Sequence, residues 1–424
     1  MKIAPGTPLR VSLDFGSGMV VPVGRLALDQ RVAVFEPARE YVASGLAVNP
    51  LLGTGPGLLR ARYIATFDGL HGVFADSLPD AWGQELMRRR ASGAGFSYAS
   101  LTGLEKLAAV GRLGMGALSY EPDLGVEKNV GEIDLDLLSI ESTEILEGRA
   151  IDVTPQLRQL GGSSGGARPK VLVAIASDGR IMSGVDRIPP GYDAWLVKFP
   201  GSRIDAPDIG PLEAAYADMA RAAGLDVSET RLIENRSGGP GYFATKRFDR
   251  VGANGRLHML SAAGALDADW SEPGVDYDIL LRLTRKITRD EREVEKVFRR
   301  MVFNVIALNH DDHAKQHAYL MDSTGRWTAA PSYDLTFSQG PGGEHYLAIN
   351  GEGKDVSLAA IRAVADNHEI TQATVATIVE QVAEAAGAFR DHATRYGAST
   401  ATIKEVGAAL EASAKRFRLN REKT

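Results

Sequence analysis

Apolar and polar positions change their rhythm three times along the chain. Over the first ~120 residues, short runs such as "VVPVGRLAL" and "RVAVFE" alternate with Gly/Pro punctuation, which predicts a small α+β domain. A helix is predicted around "LPDAWGQELMRRR", with Asp80 as cap or first-turn acid and Arg88–Arg90 toward the C-terminal end. From "EPDLGVEKNVGEIDLD" to "ILEGRAIDV" the chain is acidic and reads as an inter-domain passage. Two dense apolar runs follow, "KVLVAIAS" and "DAWLVKF", each of strand length, separated by the turn-rich "DGRIMSGVDRIPPGY". "PLEAAYADMARAAGL" predicts a helix closed by Gly224, and "ENRSGGPGYFATKRFDR" a strand, a turn and a second strand.

Beyond residue 290 the period becomes helical. Val294, Val297, Phe298, Met301, Val302, Val305 and Ile306 step by three and one, the signature of one buried helical face. "TVATIVEQVAEAAGAF" and "IKEVGAALEASAKRF" repeat the pattern, so the C-terminal part is expected to be a helical subdomain. A β-rich lobe followed by a helical lobe is an arrangement in which a ligand commonly occupies the intervening cleft. No internal repeat or low-complexity segment interrupts this reading.

Composition narrows the classes. A chain of 424 residues can bury a large core and is expected to form two or three domains. The formal charge of −6 argues against nucleic-acid binding through bulk positive charge, although a local basic patch would survive that average. Without cysteine, disulfides, thiolate nucleophiles and Cys-ligated zinc are excluded. Neither a signal-peptide core nor an apolar run of ~18–20 residues is present, so a soluble cytoplasmic protein is expected.

Three stretches carry candidate chemistry. In "GGSSGGARPK", Gly161 to Lys170, glycines let backbone N–H groups approach an anion, and Arg168 and Lys170 add charge. The spacing fits neither a Walker A motif nor a dinucleotide fingerprint, and a flexible hairpin explains the glycines equally well. Lys198 sits in a run that reads as a buried strand, where an ammonium needs a phosphate or a carboxylate such as Glu213; on an alternating strand it would instead face solvent. The third stretch is "NHDDHAKQHAY", Asn309 to Tyr319.

That stretch supports two chemistries. His310, His313 and His317 are spaced to share one helical face, and Asp311 or Asp312 could complete a zinc site. Phosphoryl transfer needs a carboxylate at the acceptor hydroxyl and, five positions later in kinases, an amide oxygen for magnesium. Asp311 and Gln316 have that separation, and Asp334 of "AAPSYDLTFS" follows eighteen residues later as a second metal-binding carboxylate. The zinc reading uses only the histidines. The phosphoryl-transfer reading also employs the Gly-rich loop, the strand lysine, the helix glutamate and Asp334.

On "FADSLPDAWGQEL", "SSGGARPK", "WLVKFP", "KRFDR", "FNVIALNHDDHAKQHAYL" and "APSYDL" the sequence resembles the HipA family of serine/threonine kinases, the toxin half of HipA–HipB toxin–antitoxin pairs. The resemblance runs over nearly the whole chain. It implies an α+β, two-lobed protein-kinase-like fold with a small N-terminal α+β domain (1–125), a region with the Gly-rich loop and strand lysine (126–255), and a mainly helical C-terminal lobe (256–424). It implies ATP and Mg2+ as cofactors, with Asp311 catalytic and Gln316 and Asp334 holding the metal. ATP would be bound by Ser163, Ser164, Gly165, Gly166, Lys170, Lys198 and His313, with Phe248 and Asp249 in the hinge. Ser163 matches the serine that family members autophosphorylate, and the phosphate would disfavour ATP in that loop.

The family usually carries asparagine where this chain has Gln316; glutamine keeps the carbonyl ligand but must reorient to reach the metal. The implied partners are a HipB-like DNA-binding antitoxin, through which any nucleic-acid contact would pass, and a protein substrate of the aminoacyl-tRNA synthetase class. Two alternatives stand beside the kinase: a weakened kinase-fold module that sequesters an antitoxin, and a small-molecule phosphotransferase.

Overall fold

The structure, a computed structural model, describes all residues except 1, 5, 54, 126–130, 150–152, 155, 158–159, 161–167, 184–187, 202–207, 253, 273 and 420–424. The fold is α+β and divides into two compact units, each assembled from separate stretches of chain. The first comprises 1–204, 244–269 and 320–326; the second comprises 205–243, 270–319 and 327–424.

The first unit contains an antiparallel sheet of β1 (Leu9–Asp14), β2 (Val20–Asp29), β3 (Val32–Pro37), β4 (Leu59–Arg60) and β5 (Leu118–Glu121), in the order β4-β3-β2-β1-β5. Leu9, Val11 and Leu13 alternate inward on β1, as a half-buried strand requires. Gly24 is needed on β2, because a Cβ there would stand 2.2 Å from the carbonyl oxygen of Glu36. Helix Gly103–Val110 opens with a capping box in which Thr102 and Glu105 satisfy each other's backbone amides. Helix Ala81–Gly93 begins after Asp80, which occupies the N-cap position without a side-chain capping bond.

The same unit holds β6 (Lys170–Ala176), β7 (Ile181–Ser183) and β8 (Tyr192–Lys198). β6 lies between β7 and β8 and is buried at every position, which accounts for its unbroken apolar run. Strand Tyr242–Lys246 follows on the β8 side.

The acidic stretch expected to be a passage between domains contains helix Leu135–Leu146. Asp134 caps it by accepting from the amides of Asp136 and Leu137. Leu135, Leu138, Ser142 and Ile145 form its buried stripe. Leu137, Ile140 and Leu146 are exposed apolar residues and Asp136 is buried, so the apolar positions do not fall on one face and the helical period is blurred.

His258, on strand His258–Ser261, is fully buried, with Nε2 2.8 Å from the carbonyl oxygen of Val48. Burial pushes its pKa down to about 4. The unfolded chain, with an ordinary histidine, therefore binds the proton first as pH falls. Stability from this group is intact above the unfolded pKa and is lost between about pH 6.5 and 4, by about 3 kcal/mol in full. Denaturant titrations at pH 7.5 and 4.5 are expected to show a steeper acid loss for the wild type than for His258→Gln; equal slopes would contradict this.

The second unit is mainly helical. Helix Ile209–Ala222 closes through Gly224 at φ +77°, as expected. Helix Glu291–Ile306 is capped by Asp290, and all seven residues of its predicted apolar face are at most 2% exposed. Each such side chain contributes about 1.5–3 kcal/mol of burial. Helices Tyr277–Thr288, Leu358–Asn367, Gln372–Gly387, Phe389–Arg395 and Thr400–Leu419 complete this unit. No helix among the described residues is long and apolar enough to cross a membrane.

Candidate functional site

The end of helix Glu291–Ile306 sets up the site in the second unit. Leu308 adopts φ +52°, and the amide of Asn309 bonds the carbonyl of Asn304 at 2.9 Å. This is a Schellman-type closure with leucine where glycine is usual. It turns the chain out of the helix. Residues 310–313 are therefore loop, Ala314–Gln316 form a single 3-10 turn, and His317 leads into strand Ala318–Met321.

The three histidines consequently do not share a helical face, which corrects the premise of the zinc reading. His310 lies against His345, ring centroids 4.2 Å apart, with Nδ1 3.0 Å from the carbonyl oxygen of Gln339. His313 packs between Trp270 and Tyr346. His317 is buried edge-on against Tyr277, and burial lowers its pKa well below the ordinary value. Among the described residues, no group of three or more His, Asp or Glu side chains is arranged to hold a metal ion.

The adjacent aspartates have opposite environments. Asp312 is fully buried. Its Oδ2 accepts from the Tyr277 hydroxyl at 2.8 Å and faces His345 Nδ1 at 2.9 Å, while its Oδ1 accepts from the Tyr346 amide at 2.9 Å. The chain of bonds continues, since Asn304 Nδ2 donates to the Tyr277 hydroxyl and Asn309 Nδ2 to Asn304 Oδ1. Burial and the charge of Asp312 raise the Tyr277 pKa well above the ordinary phenol value, keeping it a donor. The side chain of Asp311 is 47% exposed, 3.8 Å from His313 Nε2. One aspartate thus anchors the loop and the other faces outward from it.

Gln316 and Asp334 are brought together: Gln316 Nε2 donates to Asp334 Oδ2 at 2.9 Å. Tyr333 secures the approach by donating its hydroxyl to the Lys315 carbonyl at 2.6 Å, and the Ser332 amide bonds the Asp226 carbonyl at 2.7 Å. Asp334 itself has φ +55°, a left-handed conformation that aspartate tolerates better than most residues. A half-turn of the Gln316 amide would set an oxygen where Nε2 stands, leaving two oxygen donors 2.9 Å apart. That separation is close to the edge of an octahedron with ~2.1 Å bonds, about 3.0 Å, so the pair fits magnesium.

In the first unit, Lys170 and Lys198 are Cα partners across β6 and β8, and both are buried. Directly paired residues in an antiparallel ladder face the same side of the sheet, so two ammonium groups are concentrated there. Burial of Lys198 excludes the solvent-facing alternative for it. Ser163, Ser164, Gly165 and Gly166 lie outside the described residues. Phe248 is half-buried.

Asp249 is fully buried and its carboxylate is engaged inside the protein. Oδ1 accepts from Arg247 Nε at 3.0 Å; Oδ2 accepts from Arg247 Nη2, from Arg250 Nη1 and from the Gly116 amide at 2.7 Å. The neighbouring guanidiniums hold its pKa far below the usual carboxylate range, outweighing its desolvation. Its side chain is thus engaged within the segment that the resemblance places in the hinge.

Sequence reasoning did not find Tyr277, Asn304 and His345, the partners that bury Asp312. A buried helical asparagine within an apolar face was the one available signal, since a polar group there demands a partner.

Residues 162–389, more than half of the chain, match the HipA-like C-terminal domain, and residues 19–121 match the HipA N-terminal domain. A Sinorhizobium fredii protein named "Putative kinase Y4mE" is 28% identical over 206 residues, which are 44% of this chain and 46% of that protein. The chain thus aligns with slightly under half the length of this curated relative. The solved complex of HipA, HipB and operator DNA from the Shewanella oneidensis MR-1 toxin–antitoxin system contains a chain of similar fold, with a TM-score of 0.69 and 16% identity over 96% of this chain and 97% of that one. With both domain families matched in order, and one fold shared from end to end, the chain belongs to the HipA family.

Proposed function

We propose that the protein is an ATP- and Mg2+-dependent serine/threonine protein kinase of the HipA type. The observation that carries this reading is the 2.9 Å contact between Gln316 and Asp334, with the exposed Asp311 five positions before Gln316 on the same loop. Asp311 would accept the proton of the acceptor hydroxyl, a task for which a solvent-facing carboxylate beside His313 is suited. Gln316 and Asp334 would hold magnesium, which supplies charge neutralisation to the phosphates when bound. Lys170 and Lys198 would bind phosphate oxygens, and the segment around Phe248 would contact the base through its backbone. His313, held against Trp270 and Tyr346, would keep the Asp311 side oriented.

Residues 1–125 would then serve as the partner-binding domain, 126–255 as the nucleotide-binding part and 256–424 as the catalytic part. The relative solved with HipB and operator DNA supports a HipB-like antitoxin as partner. The substrate class we propose is an aminoacyl-tRNA synthetase, in the cytoplasm, with autophosphorylation on Ser163 as the off-state.

Incubation with γ-labelled ATP and Mg2+ tests the reading. Label is expected on Ser163 and absent from Ser163→Ala. Calorimetry showing no ATP–Mg2+ binding in the wild type and in Gln316→Asn would sink the enzyme reading in favour of a binding module. Gln316→Ala is expected to lower transfer by about 10–100-fold at limiting Mg2+, with partial recovery at high Mg2+. Recovery separates a metal-ligand role from a packing role, and unchanged activity would remove Gln316 from the site.

A further inference from the structure

A cavity of about 90 Å3 in the first unit is lined by residues whose side chains have no role assigned above in ATP binding, metal binding or catalysis. Lys246, Arg247, Arg250, Asn254 and Arg256 face it, with Asp193 as its acidic member. Lys246 and Asp193 neutralise each other at 2.8 Å. The three arginines have two carboxylates among the described residues: Asp249 takes Arg247 and Arg250, and Asp14 lies 3.6 Å from Arg256. Among the described residues one positive charge is left over.

The hydrogen bonds show the same excess. Arg250 and Arg256 also donate to the carbonyls of Gly114 and Gly116. Arg247, 4% exposed, keeps Nη1 buried without a hydrogen-bond partner among the described residues. A buried guanidinium nitrogen without an acceptor is costly, and an anion brought against it would relieve that cost. Burial pushes the Arg250 pKa well down and that of Arg256 to about 10, with the other arginines adding to both.

We propose that this cavity is a phosphate-binding site. Its volume admits a phosphate group. An arginine fork beside a lysine is the donor set that phosphate oxygens take. The site goes beyond the kinase reading and does not depend on it. Its ligand is free inorganic phosphate or the phosphate of a small monoester entering headgroup first.

Asn254 offers a clean test, because its Oδ1 already accepts from the Ile188 amide at 3.2 Å and an aspartate keeps that acceptor. Asn254→Asp supplies the missing anion from within. In the full chain, inorganic phosphate is expected to raise Tm by about 3 °C over chloride at matched ionic strength. The rise should be lost in Asn254→Asp, whose Tm in chloride should itself exceed the wild type's, and be kept in Asn254→Ala and Lys198→Ala. Should Asn254→Asp fail to fold, Lys246→Gln at the half-exposed rim carries the comparison, with the rise at least halved. Phosphoethanolamine matching phosphate identifies a monoester site, and a response to phosphate alone identifies the free ion. No rise in the wild type, an equal rise in Asn254→Asp, or loss of the rise in Lys198→Ala (which would move the ion to the nucleotide lysines) overturns the proposal.

Discussion

Asp311→Asn is expected to lower phosphoryl transfer by about 10²–10⁴-fold, the range that a positioned general base contributes. ATP affinity should change little, and so should Tm, because the side chain is 47% exposed. The substitution keeps the shape and removes the basicity. Single-turnover transfer from labelled ATP, beside calorimetric ATP binding on the same preparation, separates the two effects. Transfer above about a tenth of wild type would exclude Asp311 as the base. Loss of transfer together with loss of ATP binding would point to a nucleotide-binding role for it instead.

Asp312→Ala is expected to act through stability. It would strand the Tyr277 hydroxyl, His345 Nδ1 and the Tyr346 amide in a site closed to water. Removing one member of a buried charged network costs about 3–5 kcal/mol, much of it from the groups left behind. Tyr277→Phe deletes one donor from the same carboxylate and should cost about 1–2 kcal/mol. Urea unfolding of both variants measures these, and amide exchange at Tyr346 reports whether the loop opens ahead of the whole. A loss below about 1 kcal/mol for Asp312→Ala would show that the network does not hold the loop. The neighbouring aspartates would then differ in exposure but not in role.

The contrast between Asp311 and Asp312 marks where reading the sequence stopped. Their residue type is the same and their positions are adjacent, so spacing to Gln316 was the only ground for preferring Asp311. Burial of Asp312 depends on Tyr277, thirty-five positions earlier, and His345, thirty-three positions later. Neither carries a local signal toward it. The histidine cluster failed for a related reason. Its helical spacing was real, but Leu308 at φ +52° ended the helix first, and leucine is not a residue that announces a left-handed turn.

Helix Leu135–Leu146 was missed because Leu137, Ile140 and Leu146 are apolar yet exposed, which blurred its period, although Asp134 was legible as a cap. "KRFDR" was legible as a motif, but that its two arginines and the distant Gly116 amide share the Asp249 carboxylate was not.

By itself the sequence determined the class and the elements: an α+β chain, the apolar face of helix Glu291–Ile306, the buried run of β6, and the family to which its motifs point. These are local properties, written in periods of two and 3.6 residues and in short ordered motifs. Tertiary structure alone decided which aspartate is sheltered, that Gln316 reaches Asp334, that Lys170 and Lys198 stand opposite each other, and that three arginines meet two carboxylates around one cavity. Each of those depends on groups far apart in the chain, whose charges and hydrogen bonds acquire their strength only when folding removes the water between them.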